Sequence, residues 1–164
     1  MAADCRVWGD SGCETGTDKM IQPVLKYPGA KWSIAKWILG FIPEHDVYLE
    51  PFFGSGAVFF NKRPARIETI NDIDGDVVNL FRVIRTKTDE LAALIEMTPW
   101  ARDEYLESHD RTGDSLEDAR RFLVRCWQAF GTRTGGVLAG EAMCMAGSRV
   151  APSIGRRCLR EFWR

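Results

Sequence analysis

A chain of 164 residues, 45% hydrophobic and 27% charged, is long enough for one domain with its own core and has the balance of a soluble globular protein. No apolar run approaches the length of a membrane span, and the first residues lack the basic-then-apolar order of a secretory signal, so no membrane partner and a cytoplasmic setting are expected. The net charge of −1 excludes a uniformly basic nucleic-acid binder, so any basic surface must be local.

Residues 1–19 carry four acids and two bases and show neither helical nor strand period. They read as a disordered or foreign extension, with Met20 as the natural start. Five cysteines are scattered through the chain, and none forms a Cys-x-x-Cys pair. Only His45 and His109 could join them, so no metal site is expected. Next comes Leu25-Lys26-Tyr27-Pro28-Gly29-Ala30-Lys31-Trp32. Pro28-Gly29 forces a turn. Behind it, Ile34, Trp37, Ile38 and Phe41 recur at helical spacing, and Gly40 and Pro43 end that helix. Tyr27 and Lys31 therefore flank a turn at a helix N-terminus, a place suited to a ligand carboxylate. A solvated lysine and a packed tyrosine fit the same residues.

Val47 to Glu50 and Ile67 to Asn71 are short, apolar strand candidates. Between them lies Glu50-Pro51-Phe52-Phe53-Gly54-Ser55-Gly56-Ala57-Val58-Phe59-Phe60, read as a glycine loop followed by a helix start. Gly54 and Gly56 let backbone approach a ligand. The second strand ends in Asp72, which can accept hydrogen bonds from ribose hydroxyls. Strand, glycine loop, helix and strand with a terminal acid open a nucleotide-binding α/β fold. A dinucleotide loop wants a third glycine where Phe59 stands, and a phosphate loop wants Gly-Lys-Ser/Thr, which occurs nowhere in the chain. The pattern suits an adenosyl ligand without phosphates, of which S-adenosylmethionine is the obvious case. Taken alone, Gly-Ser-Gly is also an ordinary tight turn beside a surface acid.

Four helices are expected next. The first runs from Asp74 to Arg85, with Val77, Leu80, Phe81 and Ile84 on one face. Thr88 is expected to cap the second, with Leu91, Leu94 and Ile95 inward. Pro99 opens the third, through Tyr105 and Leu106. Ser115 and Asp118 resemble a capping box for the fourth, whose face is Leu116, Ala119, Phe122, Leu123, Cys126, Trp127 and Phe130. Arg120, Arg121 and Arg125 lie off that face and read as solvated surface, with a DNA patch as the alternative. After residues 131–136 the period fails. Residues 137–164 hold five arginines and two acids without pattern.

Three blocks, in order, resemble the Dam-like (D12 class) adenine-specific DNA methyltransferases. Lys26-Tyr27-Pro28-Gly29-Ala30-Lys31 is similar to the family's N-terminal Lys-aromatic-x-Gly-Gly-Lys block, with Ala30 for the usual second glycine. Glu50-Pro51-Phe52-Phe53-Gly54-Ser55-Gly56 is similar to its cofactor loop. Ile70-Asn71-Asp72-Ile73-Asp74, followed by Asn79-Leu80-Phe81, is similar to its acidic second-strand block and its helix. The resemblance covers roughly Ile21 to Gly136. It implies an α/β, Rossmann-like S-adenosylmethionine-dependent methyltransferase fold, incomplete here, with a helical insertion on the DNA-recognition side. It implies S-adenosylmethionine as cofactor, held by Tyr27, Lys31, Glu50, Pro51, Phe52, Gly54, Ser55, Gly56, Asp72 and Ile73. It implies double-stranded DNA as partner, met by Arg133, in a bacterial or phage setting.

The expected parts are then residues 20–86 for the cofactor, 87–136 for a helical segment toward DNA, and 137–164 for an aberrant, poorly ordered tail. The family's catalytic Asp-Pro-Pro-Tyr is missing, since the sequence contains no Pro-Pro. That tetrapeptide accepts the adenine amine hydrogens and stacks on the flipped base. No catalytic residue is therefore assigned. The expectation is a truncated, inactive member with a frameshifted tail, or else a non-catalytic module that binds S-adenosylmethionine or DNA.

Overall fold

In the computed structural model, which describes residues 23–129, two strands and a layer of helices follow the order expected. Expectations for residues 1–19, Met20, Arg133 with the 130–136 segment, and the 137–164 tail lie outside the described residues. Strand β1 (Val47–Glu50) pairs in parallel with β2 (Ile67–Ile70), Val47 opposite Ile67 and Glu50 opposite Ile70. The pairing runs past the strands' formal ends: Asn71 N–H donates to Glu50 O at 2.9 Å and Phe53 N–H to Asn71 O at 2.9 Å. These bonds bring the glycine loop beside Asp72.

The crossover between the strands departs from expectation. No α-helix forms between Gly56 and β2. Phe60 N–H reaches Gly56 O and Lys62 N–H reaches Val58 O, each at 3.0 Å, and the helical turn then stops. Pro64 explains the stop, because it has no N–H to continue the ladder and biases Arg63 toward extended backbone.

The N-terminal helix is also shorter than its pattern. A 3-10 turn (Trp32–Ile34) leads into α1 (Ala35–Leu39), of which only Ala35 is buried. Trp37 and Phe41 pack on each other, ring centres 4.8 Å apart, yet are 67% and 69% exposed. Five residues are too few to bury an apolar stripe. Val47, Leu49 and Ile67 are exposed as well. Parallel strands are normally covered on both faces, so among the described residues the sheet is a small, incomplete one.

The core lies on the helical side. Helix α2 (Gly75–Thr86) lays Val77, Leu80, Phe81 and Ile84 against α5 (Ser115–Gln128), which contributes Ala119, Phe122, Leu123 and Cys126. Helices α3 (Thr88–Met97) and α4 (Arg102–Glu107) flank this pair. Val24 and Leu25 are fully buried in the same cluster, and Trp127 Nε1–H fastens that segment by donating to Val24 O at 2.8 Å. Cys126 is core, as its position on the apolar face suggests, and burial pushes its thiol up to about 12.

Helix ends differ by one residue or more from the pattern. Thr88 does not cap α3: its hydroxyl donates back to Ile84 O, because only Lys87 separates α2 from α3. Helix α4 begins at Arg102 rather than Pro99. Asp114, not Ser115, caps α5 by accepting from Leu116 and Glu117 N–H. Asp118 instead turns back to Thr112 N–H and Oγ1–H, both at 2.8 Å.

The three arginines of α5 are not solvated surface. Arg120 is paired with Glu117 at 2.7 Å and Glu104 at 2.8 Å, and Arg121 with Glu117 at 2.9 Å. Arg125 is buried, bonded to Asp76 at 2.8 Å and to Ser108 O. A guanidinium so engaged has little left to offer a phosphate.

Candidate functional site

Three segments converge beyond the C-terminal ends of β1 and β2. The first is the turn at residues 27–30, closed by Ala30 N–H donating to Tyr27 O at 3.0 Å. Pro28 and Gly29 occupy its central positions, and Gly29 takes φ +76°, as a type II turn requires. The second is the loop at Gly54, and the third is the Asn71–Asp74 run that leads into α2.

Side-chain bonds lock these segments together. Asp72 accepts from Gly54 N–H at 2.6 Å through Oδ2 and from Asp74 N–H at 2.9 Å through Oδ1. Asp74 caps α2 by accepting from Asp76 N–H at 2.9 Å, and its other oxygen takes the Tyr27 hydroxyl at 2.8 Å. Trp32 Nε1–H donates to the buried Ser55 hydroxyl at 3.0 Å. The N-terminal turn is thus held to both the glycine loop and the acidic run. Trp32→Phe should remove the one side-chain partner of the Ser55 hydroxyl among the described residues, and is expected to cost about 1–2 kcal/mol in urea unfolding.

Between the segments lies an open cavity of about 400 Å³. Tyr27, Lys31, Glu50, Phe52, Gly54, Ser55 and Asp72 line it, together with Ala57 and Val58. Of the residues expected to share this site, Pro51, Gly56 and Ile73 are not in the lining. Ile73 is 94% exposed beside Asp72, and at Gly56 the protein's own Phe60 and Phe53 rings fill the space a side chain would take.

The cavity is electrically mixed. Burial raises the Glu50 carboxyl above its usual range, against the lowering effect of the Tyr48 hydroxyl, Lys62 and the Phe59 N–H. Tyr27 is pushed well up, first by burial and then by its bond to Asp74, so its hydroxyl stays protonated and donates. Lys31 Nζ lies on the turn, donating to Gly29 O at 2.5 Å. The arrangement offers acceptors for hydroxyl and ammonium groups at Asp72 and Glu50, a cation at Lys31, and apolar walls.

The model of the D12 class N6 adenine-specific DNA methyltransferases matches residues 27–134, which is most of the chain and includes all three segments. The chain belongs to that family. It is 29% identical over 108 residues to the type II methyltransferase M1.LlaDCHI of Lactococcus lactis subsp. cremoris, covering 62% of this chain and 38% of that protein. It is 33% identical over 66 residues to the DNA adenine methylase of Escherichia coli K12, 40% of this chain and 23% of the relative. Against the DNA N-6-adenine-methyltransferase of Escherichia phage P1 the figures are 30% over 71 residues, 43% and 9%. The matched part spans well under half the length of these relatives.

Several residues of this candidate site carry little signal in the sequence. Asp74, expected as part of an acidic block and as the first residue of a helix, caps that helix and also holds Tyr27. Trp32 was a neighbour of the turn, whereas it holds Ser55. An acid at the start of a helical pattern is an N-cap signal, so the capping role of Asp74 is legible locally, whereas its bond to Tyr27, 47 residues away, is not. Nothing local announces the Trp32 bond, which spans 23 residues.

Proposed function

We propose that this chain is the S-adenosylmethionine-binding part of a DNA adenine N6-methyltransferase acting on double-stranded DNA, and that the 164 residues bind the donor without turning it over. The observation that carries the reading is the Asp72 carboxylate, bonded to the Gly54 N–H on the wall of a cavity that also presents Glu50 and Lys31. Each carboxylate oxygen has two lone pairs, and each of Asp72's has one protein donor described. Capacity remains for both hydroxyls of a ribose.

The donor set suits the ligand. A sulfonium and an ammonium are cations, matched by Asp72 and Glu50; an amino-acid carboxylate is matched by Lys31 and the turn behind it. The exposed apolar surface of Phe52 and Ile73 suits an aromatic base. Pro51, Ser55 and Gly56 shape the loop, and Tyr27 closes it from the N-terminal side. The bound cofactor would supply an electrophilic methyl group. This chain's own residues hold it and orient it.

Turnover needs a partner for the adenine amine, and the sequence has no Pro-Pro and so no Asp-Pro-Pro-Tyr. Residues 20–86 are accordingly assigned to the cofactor and 87–136 to the DNA side, with Arg133 as a phosphate or base contact. A bacterial or phage cytoplasm fits the relatives.

Calorimetry and methyl transfer test this together. Saturable binding of S-adenosylmethionine is expected, with no labelled methyl passed to adenine-containing duplex. Robust transfer by the purified chain would overturn the second half; no binding at millimolar cofactor would overturn the first.

A further inference from the structure

The acids at 72, 74 and 76 do three different things. Asp72 holds Gly54, Asp74 holds Tyr27, and Asp76 faces the helices. Asp76 N–H bonds to Asp74 Oδ1 at 2.9 Å, while its carboxylate receives Arg111 at 2.7 Å and Arg125 at 2.8 Å. Arg125 also donates to Ser108 O, at the end of α4. An unbroken bonded path therefore runs from Ser108 through Arg125, Asp76 and Asp74 to Tyr27 in the cavity wall.

From these bonds we infer that Arg125 is a positioning residue for the cofactor site: through Asp76 it clamps the first turn of α2, and so sets where Asp74 holds the Tyr27 hydroxyl. The inference rests on the cavity being the cofactor site.

Three features make the clamp more than packing. Three carboxylates within five residues repel one another, and Arg125 with Arg111 supplies the opposing charge. Arg125 is 9% exposed and its side chain bridges two elements, whereas the Arg111 side chain is 70% exposed. A second cavity of about 250 Å³ lies among Asp74, Asp76, His109, Arg111, Phe122 and Arg125. The start of α2 has room to move on that side, so bonds rather than close contact hold it. Helix α5 and the cofactor wall thereby become one mechanical unit, and a displacement of α5 would be felt at Tyr27.

The test uses the full chain labelled with 3-fluorotyrosine. It has three tyrosines, Tyr27, Tyr48 and Tyr105, and Tyr27→Phe assigns the first resonance. In Arg125→Met the Tyr27 line should shift and broaden, the Tyr48 line should stay, and S-adenosylmethionine affinity should fall about tenfold, the effect of losing one modest interaction. Asp76→Asn should reproduce this from the other end of the pair, Arg125→Lys should recover part of it, and Arg111→Ala should leave Tyr27 in place. If Arg125→Met loses the Tyr48 line as well, it has unfolded and Asp76→Asn decides. An unmoved Tyr27 line in folded Asp76→Asn overturns the inference. A parent chain that binds no cofactor, while Tyr27 still answers to Arg125, sinks the cofactor reading and leaves the link standing.

Discussion

Asp72→Asn is expected to weaken S-adenosylmethionine binding about 100-fold or more, measured by calorimetry on folded protein. The substitution changes one oxygen to an NH₂ and little else in shape. In the parent, Oδ2 takes the Gly54 N–H at 2.6 Å and Oδ1 takes the Asp74 N–H at 2.9 Å. An asparagine has only one oxygen, so whichever way its amide turns, an NH₂ faces one of these N–H donors. Either the glycine loop lets go or the start of α2 does. The proposed ribose contacts lose their charge at the same moment. Hydrogen bonds to a charged group contribute about 1.5–3 kcal/mol each, and losing the equivalent of two gives the expected factor. Asp72→Glu keeps the charge but carries it one methylene further, and is expected to recover only part of the affinity. Unaltered binding in a folded Asp72→Asn chain would remove Asp72 from the site.

Why the loop and the acid could be found in the sequence at all is a matter of local rules. A glycine pair after an apolar run, and an acid ending the next one, both report on backbone a few residues away. The same holds for Pro28-Gly29, whose turn forms as expected, and for the α2 and α5 faces, whose apolar positions recur at helical spacing and are buried. Where the reading failed, a longer-range competitor decided. Thr88 could cap α3 in isolation, but the last turn of α2 lies within reach of its hydroxyl. Ile34, Trp37 and Phe41 have helical spacing, but α1 is five residues long and meets no covering element among the described residues.

Arg125 is the instructive failure. By periodicity it belongs off the apolar face, where arginines are usually solvated. Its burial depends on Asp76, 49 residues away, being delivered opposite it by the packing of α2 on α5. No window along the chain contains both partners. The bonds that tie the cavity to distant segments, Trp32–Ser55, Tyr27–Asp74 and Arg125–Asp76, are tertiary, while the residues that line the cavity lie in short contiguous motifs. That division is why the motif residues are legible in the sequence and their long-range partners, Trp32 and Arg125, are not.

Gly56→Ala is expected to lower stability by about 2–5 kcal/mol, read as a shift of the urea midpoint. Two penalties add. Gly56 sits at φ +67°, where a side chain costs about 1–2 kcal/mol. A β-carbon there would also lie 2.4 Å and 2.6 Å from the Phe60 ring and 2.7 Å from Phe53 Cζ. Those rings cannot swing aside cheaply. Phe53 stacks edge-on against Phe59, Phe60 and Phe81, with ring centres 4.8–5.7 Å away, and it belongs to the core that α2 covers. Forcing extra volume into such packing costs about 1–3 kcal/mol more. Whole domains have only about 5–15 kcal/mol in hand, and the sheet among the described residues is small. Gly113→Ala separates the two terms: φ is +84° there, but nothing lies within 4 Å of the added carbon, so only the backbone penalty applies. If the two alanine chains unfolded at the same urea concentration, the aromatic cluster would be loose enough to yield. The glycine would then be required by the turn alone, and the loop's shape would not depend on the core beneath it.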